Sequence, residues 1–468
     1  MAAIDLNVVL GSVAFAIFWV LAVFRTVPFL PIGRTAGSPL GALLMVVFRV
    51  IKPKDAYEAI DLPILGLLFG SMVVGVYLEK AHMFKYLGKL LSWKSYGAKD
   101  LLCRICLVSA ISSALFTNDT TCVVLTEFVL KIATQKNLPP HPFLFALVSS
   151  ANIGSSASPI GNPQNLIIAV QSEIPFGNFL HGILPAMVVG VFVNALILLC
   201  MYWKLLSIPK DEENQNKEIE DRRIDSNDMN SHRFSPWRQL RRILLTEIAS
   251  QVIDQTLGNQ ENEIIIQEGI SWKSFDYLVI IGMLISLFKG FDMTWTVVTT
   301  AFTLAVLDFK DAQPCLEKVS YSLLTFFCGM FVTVKGFNET GIPNMIWEFI
   351  EPYARIDHFR GIVVLAAVIV VLSNLFSNVP TVLLVGKLVA KSAASISADT
   401  NRAWLILAWV STVAGNFSLV GSAANLIVWE QARQAWDDGY TLSFWRHLKF
   451  GVPSTLIITA IGLTLIQG

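Results

Sequence analysis

The stretch Leu115-Phe116-Thr117-Asn118-Asp119-Thr120-Thr121 recurs later in the chain as Leu375-Phe376-Ser377-Asn378-Val379-Pro380-Thr381. The two copies are separated by 260 residues (378 − 118 = 260), and Gly161 recurs as Gly421 at the same offset. A constant offset between two separate pairs indicates an internal duplication of the whole unit. In both copies these polar residues interrupt long apolar sequence, so the duplicated unit is expected to carry the function.

The composition indicates a membrane protein. The chain has 468 residues, of which 54% are hydrophobic and 15% are charged, whereas soluble domains carry about 25% charged residues. Its 35 basic and 35 acidic residues cancel, so nothing favours nucleic-acid binding. The six cysteines are dispersed, and the pair Cys103 and Cys106 lies in an apolar run without a second pair or a histidine pair, so we expect no metal site and no cofactor. Residues 6–30 are expected to be a first membrane span rather than a signal peptide.

About 20 apolar residues are needed to cross a bilayer as a helix. We expect five crossings and one hairpin in each half, with the fourth crossing interrupted by Gly and Pro. In the first half the crossings are predicted near 6–27, 35–51, 62–78, 142–170 and 179–203, with hairpin arms at 101–116 and 121–135. In the second half they are predicted near 275–290, 293–308, 321–336, 403–431 and 446–466, with arms at 361–376 and 380–392.

The hairpins are expected to be re-entrant. Arms of about 16 residues reach about 24 Å as helix, which is short for a full crossing. A polar turn such as 117–121 is tolerated at membrane depth only inside protein or a water-filled cavity. The alternative is a pair of ordinary spans joined by a polar loop in water.

The segment Ser149–Ile168 is expected to be a helix broken near its centre. It contains two glycines, two prolines and a run of small hydroxyl residues, which cannot hold a continuous helix. The free ends of the two half-helices would then offer N–H and C=O groups to a ligand. Tight helix packing is the alternative reason for the small residues, but it explains Asn152, Asn162, Gln164 and Asn165 poorly.

Two homologous halves with an odd number of crossings must insert with opposite orientations. The predicted fold is therefore an all-α membrane protein of two inverted repeats of five transmembrane helices, each with a re-entrant hairpin and a broken helix, as in secondary transporters. The domains are residues 1–204 with the N-terminus outside, a cytoplasmic linker at 205–271, and residues 272–468. The distribution of Lys and Arg sets this orientation. The linker is expected to be largely disordered, with a possible amphipathic helix at 243–257.

The candidate substrate site consists of neutral hydrogen-bonding residues and two glycines from both halves. They are Thr117, Asn118, Thr120, Asn152, Ser155, Ser156, Ser158, Gly161, Asn162, Asn165, Ser377, Asn378, Thr381, Asn416, Ser418, Gly421, Ser422 and Asn425. None of the four motifs contains Lys or Arg, which a dianion would favour. Neutral hydroxylated solutes fit such a set, although half-helix N-termini could still hold an anion.

Asp119 and Glu127 are the candidate proton-coupling residues. Asp119 is the only carboxylate in the four motifs, and Val379 stands at its equivalent position. Carboxylates at membrane depth are costly and usually functional, and a low-dielectric surrounding favours their protonated form. The alternative for Glu127 is a helical ion pair with Lys131.

Beyond these features, nearly the whole chain outside the linker resembles the ion transporter superfamily of arsenite permeases, sodium/proton antiporters and sodium–dicarboxylate symporters. The stretches Ala114–Thr120 and Gly154–Asn165, with Gly11–Phe15 and Pro28–Gly37, closely resemble the plant silicon efflux transporters. The resemblance implies a plasma-membrane homodimer that exports silicic acid, and often arsenite, in exchange for protons, with a transport domain moving against a scaffold.

Two other functions remain open at this point. One is a sodium-coupled anion symporter or sodium/proton antiporter of the same superfamily, with the Asn, Ser and Thr turns binding sodium. The other is a membrane enzyme. The sequence does not favour an enzyme, because it shows no metal-ligand set, no Ser-His pair and no nucleotide-binding loop.

Overall fold

A computed structural model of the chain describes residues 6–23, 33–92, 97–207, 262–308, 312–435 and 443–466. Every regular element in these ranges is helical and no strand occurs among them, which agrees with the predicted all-α class. The chain divides into two compact units, one formed by residues 1–206 with 279–468 and the other by residues 207–278. Of the second unit, Ser207 and the residues from 262 onward lie in the described part, and their backbone is helical.

In the first half the described helices follow the predicted order. They are α1 Leu6–Val23, α2 Arg34–Val47, α3 Pro53–Glu58, α4 Leu62–Lys80, α5 Met83–Ser92, α6 Ala98–Leu115, α7 Asn118–Gln135, α8 His141–Ser155, α9 Pro163–Ser172 and α10 Phe176–Tyr202. A short 3₁₀ turn, Pro159–Gly161, separates α8 from α9. The polypeptide is therefore broken within the segment where Gly and Pro predict a break.

The second half has a parallel order. Its helices are α11 Asn262–Phe288, α12 Met293–Leu307, α13 Gln313–Leu316, α14 Tyr321–Glu339, α15 Ile342–Ile350, α16 Phe359–Phe376, α17 Asn378–Ser395, α18 Thr400–Val413, α19 Ala423–Ala435 and α20 Phe444–Leu465. The starts of α7 and α17 differ by 260 residues (378 − 118), and so do those of α9 and α19 (423 − 163). Helix α11 begins ten residues (272 − 262) before the predicted start of the second repeat. The amphipathic helix expected at 243–257 lies outside the described residues.

Five helical stretches in the described ranges are long and apolar enough to cross a membrane: α1, Pro53–Lys80, α10, α16 and α20. Three shorter apolar stretches are Thr35–Val47, Phe275–Phe288 and Met293–Leu307. Helix α16 is the first arm of the second hairpin. Its 18 residues, about 27 Å of helix, fit both a re-entrant arm and a full crossing.

Helices from the two halves pack on one another in matching pairs. α2 packs against α14, and its equivalent, α12, packs against the equivalent of α14, which is α4. Similarly, α7 packs against α19, and α17 packs against α9. Each hairpin arm α7 or α17 also contacts the first part of its own broken helix, α8 or α18.

The broken helices are the most deeply buried helices of the described ranges. Residues 142–155 of α8 and 403–413 of α18 are buried without exception. Burial of the polar residues in these helices is tolerated only where their hydrogen bonds are made inside the protein. The position of those bonds defines the candidate site.

Candidate functional site

The turn of the first hairpin is organised by its own side chains. Thr117 precedes α7, and its Oγ1 accepts a hydrogen bond from the backbone N–H of Thr120 (3.2 Å) while donating to Thr120 Oγ1 (2.8 Å). Such a cap satisfies a free N–H at the start of a helix. Asn118 Oδ1 accepts from the backbone N–H of Asp119 (2.9 Å). The Asn118 side chain is buried at 7% exposure and faces the first broken helix.

At the first break, two asparagines close the loop between α8 and α9. Pro163 begins α9, and Asn162 Oδ1 accepts from the backbone N–H of Asn165 (3.0 Å). The Asn165 amide then donates to three loop carbonyls, of which the nearest is that of Ser155 (3.0 Å). Because carbonyls at the end of a broken helix have no partner in the helix itself, Asn165 replaces the missing bonds.

The second break is closed in the same way. Asn425 Nδ2 donates to the carbonyls of Gly415 (2.8 Å) and Ser418 (2.9 Å). These two positions are equivalent to Ser155 and Ser158 at the 260-residue offset (415 − 155 = 418 − 158 = 260). Asn165 and Asn425 therefore have one and the same role in the two halves.

Asn152 connects the two halves. Its Oδ1 accepts from Asn118 Nδ2 (3.0 Å) and Ser422 Oγ (3.1 Å), and its Nδ2 donates to Asn416 Oδ1 (2.8 Å) and Asn425 Oδ1 (3.0 Å). Its side chain is 1% exposed. The first hairpin and both broken helices thus meet at one carboxamide. We call Asn152 and its four partners, Asn118, Asn416, Ser422 and Asn425, the Asn152 cluster.

Thr412 has the equivalent role and was missed by the sequence-based prediction. It lies 260 residues after Asn152 (412 − 152), donates to Asn165 Oδ1 (3.1 Å), and accepts from Asn162 Nδ2 (3.3 Å). Gln164 Nε2 lies 3.5 Å from Thr412 Oγ1. The constant offset could have identified Thr412, a polar residue within the apolar run 403–414.

The second hairpin turn makes fewer hydrogen bonds. Asn378 is 8% exposed, and its Oδ1 is buried with no hydrogen-bond partner among the described residues. Its Nδ2 lies beside Gly415, where an added Cβ would be 3.5 Å from that atom and 3.7 Å from Asn152 Nδ2. The two hairpin asparagines therefore converge on Asn152, but only Asn118 is bonded to it.

Asn374 and Trp19 support the second turn, and neither was predicted. Asn374 Oδ1 accepts from Ser418 Oγ (2.8 Å), and Asn374 Nδ2 donates to the carbonyl of Ala414 (3.1 Å). In the first half, where Ala114 replaces Asn374, Ser158 Oγ bonds directly to the Ala114 carbonyl. Trp19 of α1 donates to the carbonyl of Leu375 (2.6 Å).

The two predicted glycines are both required by close packing within the loops. A Cβ on Gly161 would overlap the Ser155 carbonyl. A Cβ on Gly421 would lie 2.8 Å from Asn374 Oδ1 and 3.0 Å from the Gly415 carbonyl. Both positions are buried, so the loops themselves need these glycines whether or not a substrate touches them.

The remaining predicted residues are bonded locally. Ser155 Oγ accepts from Asn162 Nδ2 (2.9 Å), Ser156 Oγ donates to the Ile153 carbonyl (2.6 Å), and Thr381 Oγ1 donates to the Ser377 carbonyl (2.9 Å). These bonds hold the turns but do not join the Asn152 cluster.

The two carboxylates differ in surroundings. Asp119 is partly buried and adjoins Asn118 at the first turn. Glu127 is exposed on α7, and no ion pair between Glu127 and Lys131 occurs in the described structure. Of the two, only Asp119 is next to the residues that converge on Asn152.

The site is electrically neutral apart from Asp119. In the described ranges, no Lys or Arg side chain is hydrogen-bonded to the Asn152 cluster, and no group of His, Cys, Asp and Glu could hold a metal ion. The arrangement offers amide donors and acceptors together with hydroxyl groups, which is suited to a polar solute without formal charge.

Comparison with known proteins identifies the family. Residues 16–414 match the CitMHS family model, described as citrate transporter. The chain is 56% identical to the silicon efflux transporter LSI3 of Oryza sativa subsp. japonica, with 98% of each chain covered. It is 33% identical to the putative transporter arsB of Dictyostelium discoideum, covering 93% of this chain and 88% of that one. The P protein of Homo sapiens is 24% identical and is matched over 60% of its length.

These matches extend through both hairpins and most of the broken-helix region, and the rice and Dictyostelium relatives and the family model are named as transporters rather than enzymes. The chain is a membrane protein that belongs to the CitMHS family of transporters, within the ion transporter superfamily.

Proposed function

We propose that this protein is a secondary active transporter that exports silicic acid, and also arsenite, in exchange for protons. The observation that carries the proposal is the Asn152 cluster, in which carboxamides and a hydroxyl from both halves converge without a cationic side chain. The 56% identity to a silicon efflux transporter supports the same substrate.

The substrate follows from the chemistry of the groups available. Silicic and arsenous acids are neutral hydroxides, so each needs both donors and acceptors but no countercharge. Asn and Ser side chains supply both kinds of group. Citrate, after which the family is described, carries several negative charges and would favour Arg or Lys in the site.

The architecture we propose is two inverted repeats, residues 1–204 and 272–468, joined by a cytoplasmic linker at 205–271. The shared order of helices and the reciprocal packing of α2 with α14 and of α12 with α4 support it. In this arrangement the hairpins are re-entrant, the N-terminus is outside, and the site lies near the bilayer midplane. The protein acts at the plasma membrane as a homodimer, and a transport domain moves like an elevator against a scaffold.

Coupling to protons is assigned to Asp119. Ionised, its carboxylate only accepts hydrogen bonds, and protonated, it also donates. Because Asp119 follows Asn118, which bonds to Asn152, a change at this carboxyl group is transmitted to the cluster through one residue. Glu127 is a second candidate that lies farther from the cluster and is exposed.

The test is transport by purified protein in proteoliposomes with imposed gradients. Vesicles are loaded with silicic acid, arsenite or citrate, with and without a pH gradient and with sodium or potassium. We expect an opposing proton gradient to drive silicic acid and arsenite movement without sodium. Sodium-dependent citrate transport that ignores the pH gradient would contradict the proposal and favour a sodium-coupled anion symporter.

A further inference from the structure

The last helix, α20, approaches the second break with two residues on one face. His447 Nε2 lies 3.1 Å from the carbonyl oxygen of Asn416. At Gly451, one turn further, an added Cβ would overlap the Asn416 carbonyl and lie 2.7 Å from that of Phe417. Residues at positions i and i+4 share a helix face. On this face α20 presents the His447 ring to the second break, and the absence of a side chain at Gly451 leaves room for the Asn416 and Phe417 carbonyls. We call this space the gap at Gly451.

Asn416 is thereby held from three sides. Its Oδ1 accepts from Asn152 (2.8 Å), its Nδ2 donates to the Ser149 carbonyl (3.2 Å), and its own carbonyl faces His447. This carbonyl lies in the 3₁₀ turn Ala414–Asn416 that ends the helical run begun by α18. Since carbonyls at a helix end lack a partner in the helix, His447 supplies the donor that the turn does not.

The bond fixes the tautomer of His447. A carbonyl oxygen only accepts, so the hydrogen must be on Nε2. Nδ1 of the neutral ring is then an acceptor, and it is buried with no partner in the described ranges. The ring is 1% exposed and packs edge-to-face against Phe145, with centroids 5.6 Å apart.

The surroundings favour the neutral ring. α20 and the helices packed on it, α10, α16 and α18, contain no Asp or Glu, and neither does α8, which carries Phe145. The cationic and histidine side chains of these helices are His141, His181, Arg360, Arg402, Arg446 and Lys449. A protonated His447 would therefore add a buried charge without a carboxylate to pair with it.

We propose that His447 is a positioning residue for transport: as a neutral donor, together with the gap at Gly451, it holds the Asn416 turn so that the Asn416 side chain reaches Asn152. The role in transport rests on the proposed function. In this proposal Asp119 couples transport to protons, whereas His447 keeps the second break aligned and stays neutral.

The experiment compares His447→Gln, His447→Leu and Gly451→Ala in proteoliposomes, measured as KM and maximal rate for silicic acid. Gln retains an N–H donor that can reach the carbonyl and cannot be protonated near neutral pH. We expect His447→Gln to keep the wild-type KM and pH profile. His447→Leu and Gly451→Ala should raise KM about tenfold, the effect of about one hydrogen bond to an otherwise unpaired group.

A second readout does not depend on the substrate. Hydrogen–deuterium exchange of a peptide covering residues 411–422 should be faster in His447→Leu and Gly451→Ala than in wild type and unchanged in His447→Gln. The matched control is His181→Leu, because His181 is an exposed histidine whose ring hydrogen-bonds to a carbonyl of its own helix, Gly177 O, at 2.6 Å. If wild type fails to move silicic acid, the proposed function fails while the exchange data still test the positioning.

Three outcomes would overturn the positioning role. One is wild-type KM and exchange in both His447→Leu and Gly451→Ala. Another is a defect in His447→Gln as large as that in His447→Leu. The third is an altered pH profile in His447→Gln, which would show that His447 titrates during transport.

Discussion

The turns of the two hairpins, residues 117–121 and 377–381, have related sequences but different hydrogen bonding. In the first, Thr117 caps Thr120, and both polar atoms of the Asn118 amide are bonded within the protein. In the second, Ser377 makes no side-chain cap, and Asn378 Oδ1 has no partner in the described structure. The asparagine amide of the first turn is thus bonded within the protein, whereas the second turn has a buried amide oxygen without a partner among the described residues.

A sequence difference at one position explains why the second turn has no side-chain cap. Thr120 has an N–H that needs a cap, and its equivalent, Pro380, has none. Ser377 therefore need not point its hydroxyl into the helix, and its backbone adopts φ 74° and ψ 159°, a region that favours glycine. Val379 still has an N–H, yet it does not reach Asn378 Oδ1. On the function proposed above, we expect the first hairpin to respond to protons and the Asn378 amide of the second hairpin to contact substrate.

The largest effect is expected at the position where the turns differ in charge, Asp119 against Val379. Asp119→Asn keeps size and most hydrogen bonding but removes the charge. Accumulation driven by a pH gradient should fall to the level of downhill movement, which persists. Silicic acid efflux is measured in vesicles at several imposed gradients.

The matched control for Asp119→Asn is Glu127→Gln, which removes an exposed carboxylate of the same hairpin. It should retain coupling. Full pH-dependent accumulation in Asp119→Asn would contradict the assignment, and loss in Glu127→Gln alone would transfer the role to Glu127.

The next effect compares the two break loops through their glycines. Gly161→Ala forces a methyl group onto the Ser155 backbone, whereas Gly421→Ala meets Asn374 Oδ1, a side-chain atom, at 2.8 Å and the Gly415 carbonyl at 3.0 Å. We expect a loss of about 3 kcal/mol in the free energy of unfolding for Gly161→Ala and about 1 kcal/mol for Gly421→Ala. Denaturation in detergent measures both, and equal losses would show that the loops relax alike.

Replacing each hairpin asparagine, Asn118 or Asn378, with alanine distinguishes an effect on protein stability from an effect on substrate binding. Asn118→Ala leaves Asn152 Oδ1 short of a donor and should lower the free energy of unfolding by about 2 kcal/mol. Asn378→Ala breaks no side-chain hydrogen bond of the described structure, so stability should stay within about 0.5 kcal/mol of wild type while KM for silicic acid rises. A stability loss at Asn378 as large as that at Asn118 would show that the Asn378 side chain makes a stabilising contact comparable to that of Asn118.

The smallest effect concerns the residues before the asparagines. Thr117→Ala removes the cap and should cost about 1 kcal/mol. Ser377→Gly relieves the positive φ and should stabilise the protein by up to about 1 kcal/mol. Thermal denaturation of the two variants beside wild type shows whether each change raises or lowers stability. A loss of stability in Ser377→Gly would mean that the Ser377 hydroxyl has a structural role.

The sequence by itself determined the helical class, the repeat offset and the sites of the breaks. These depend on local properties: the length of apolar segments, the missing N–H of Pro163, and the recurrence of Asn118 as Asn378. The same local rules placed Asn152, Asn416 and Asn425 in one set of candidates, because carboxamides inside buried helices need partners.

Only the tertiary structure decided which groups pair. Asn152 bonds to Asn416, which is 264 residues away (416 − 152), and the importance of Thr412 and His447 comes from helices that pack beside the breaks. It also decided that Asn118 is bonded to the cluster while Asn378 Oδ1 has no partner among the described residues, although their motifs are alike. A residue's type limits what it can donate or accept, but the packing of distant helices determines which partner lies within hydrogen-bonding distance.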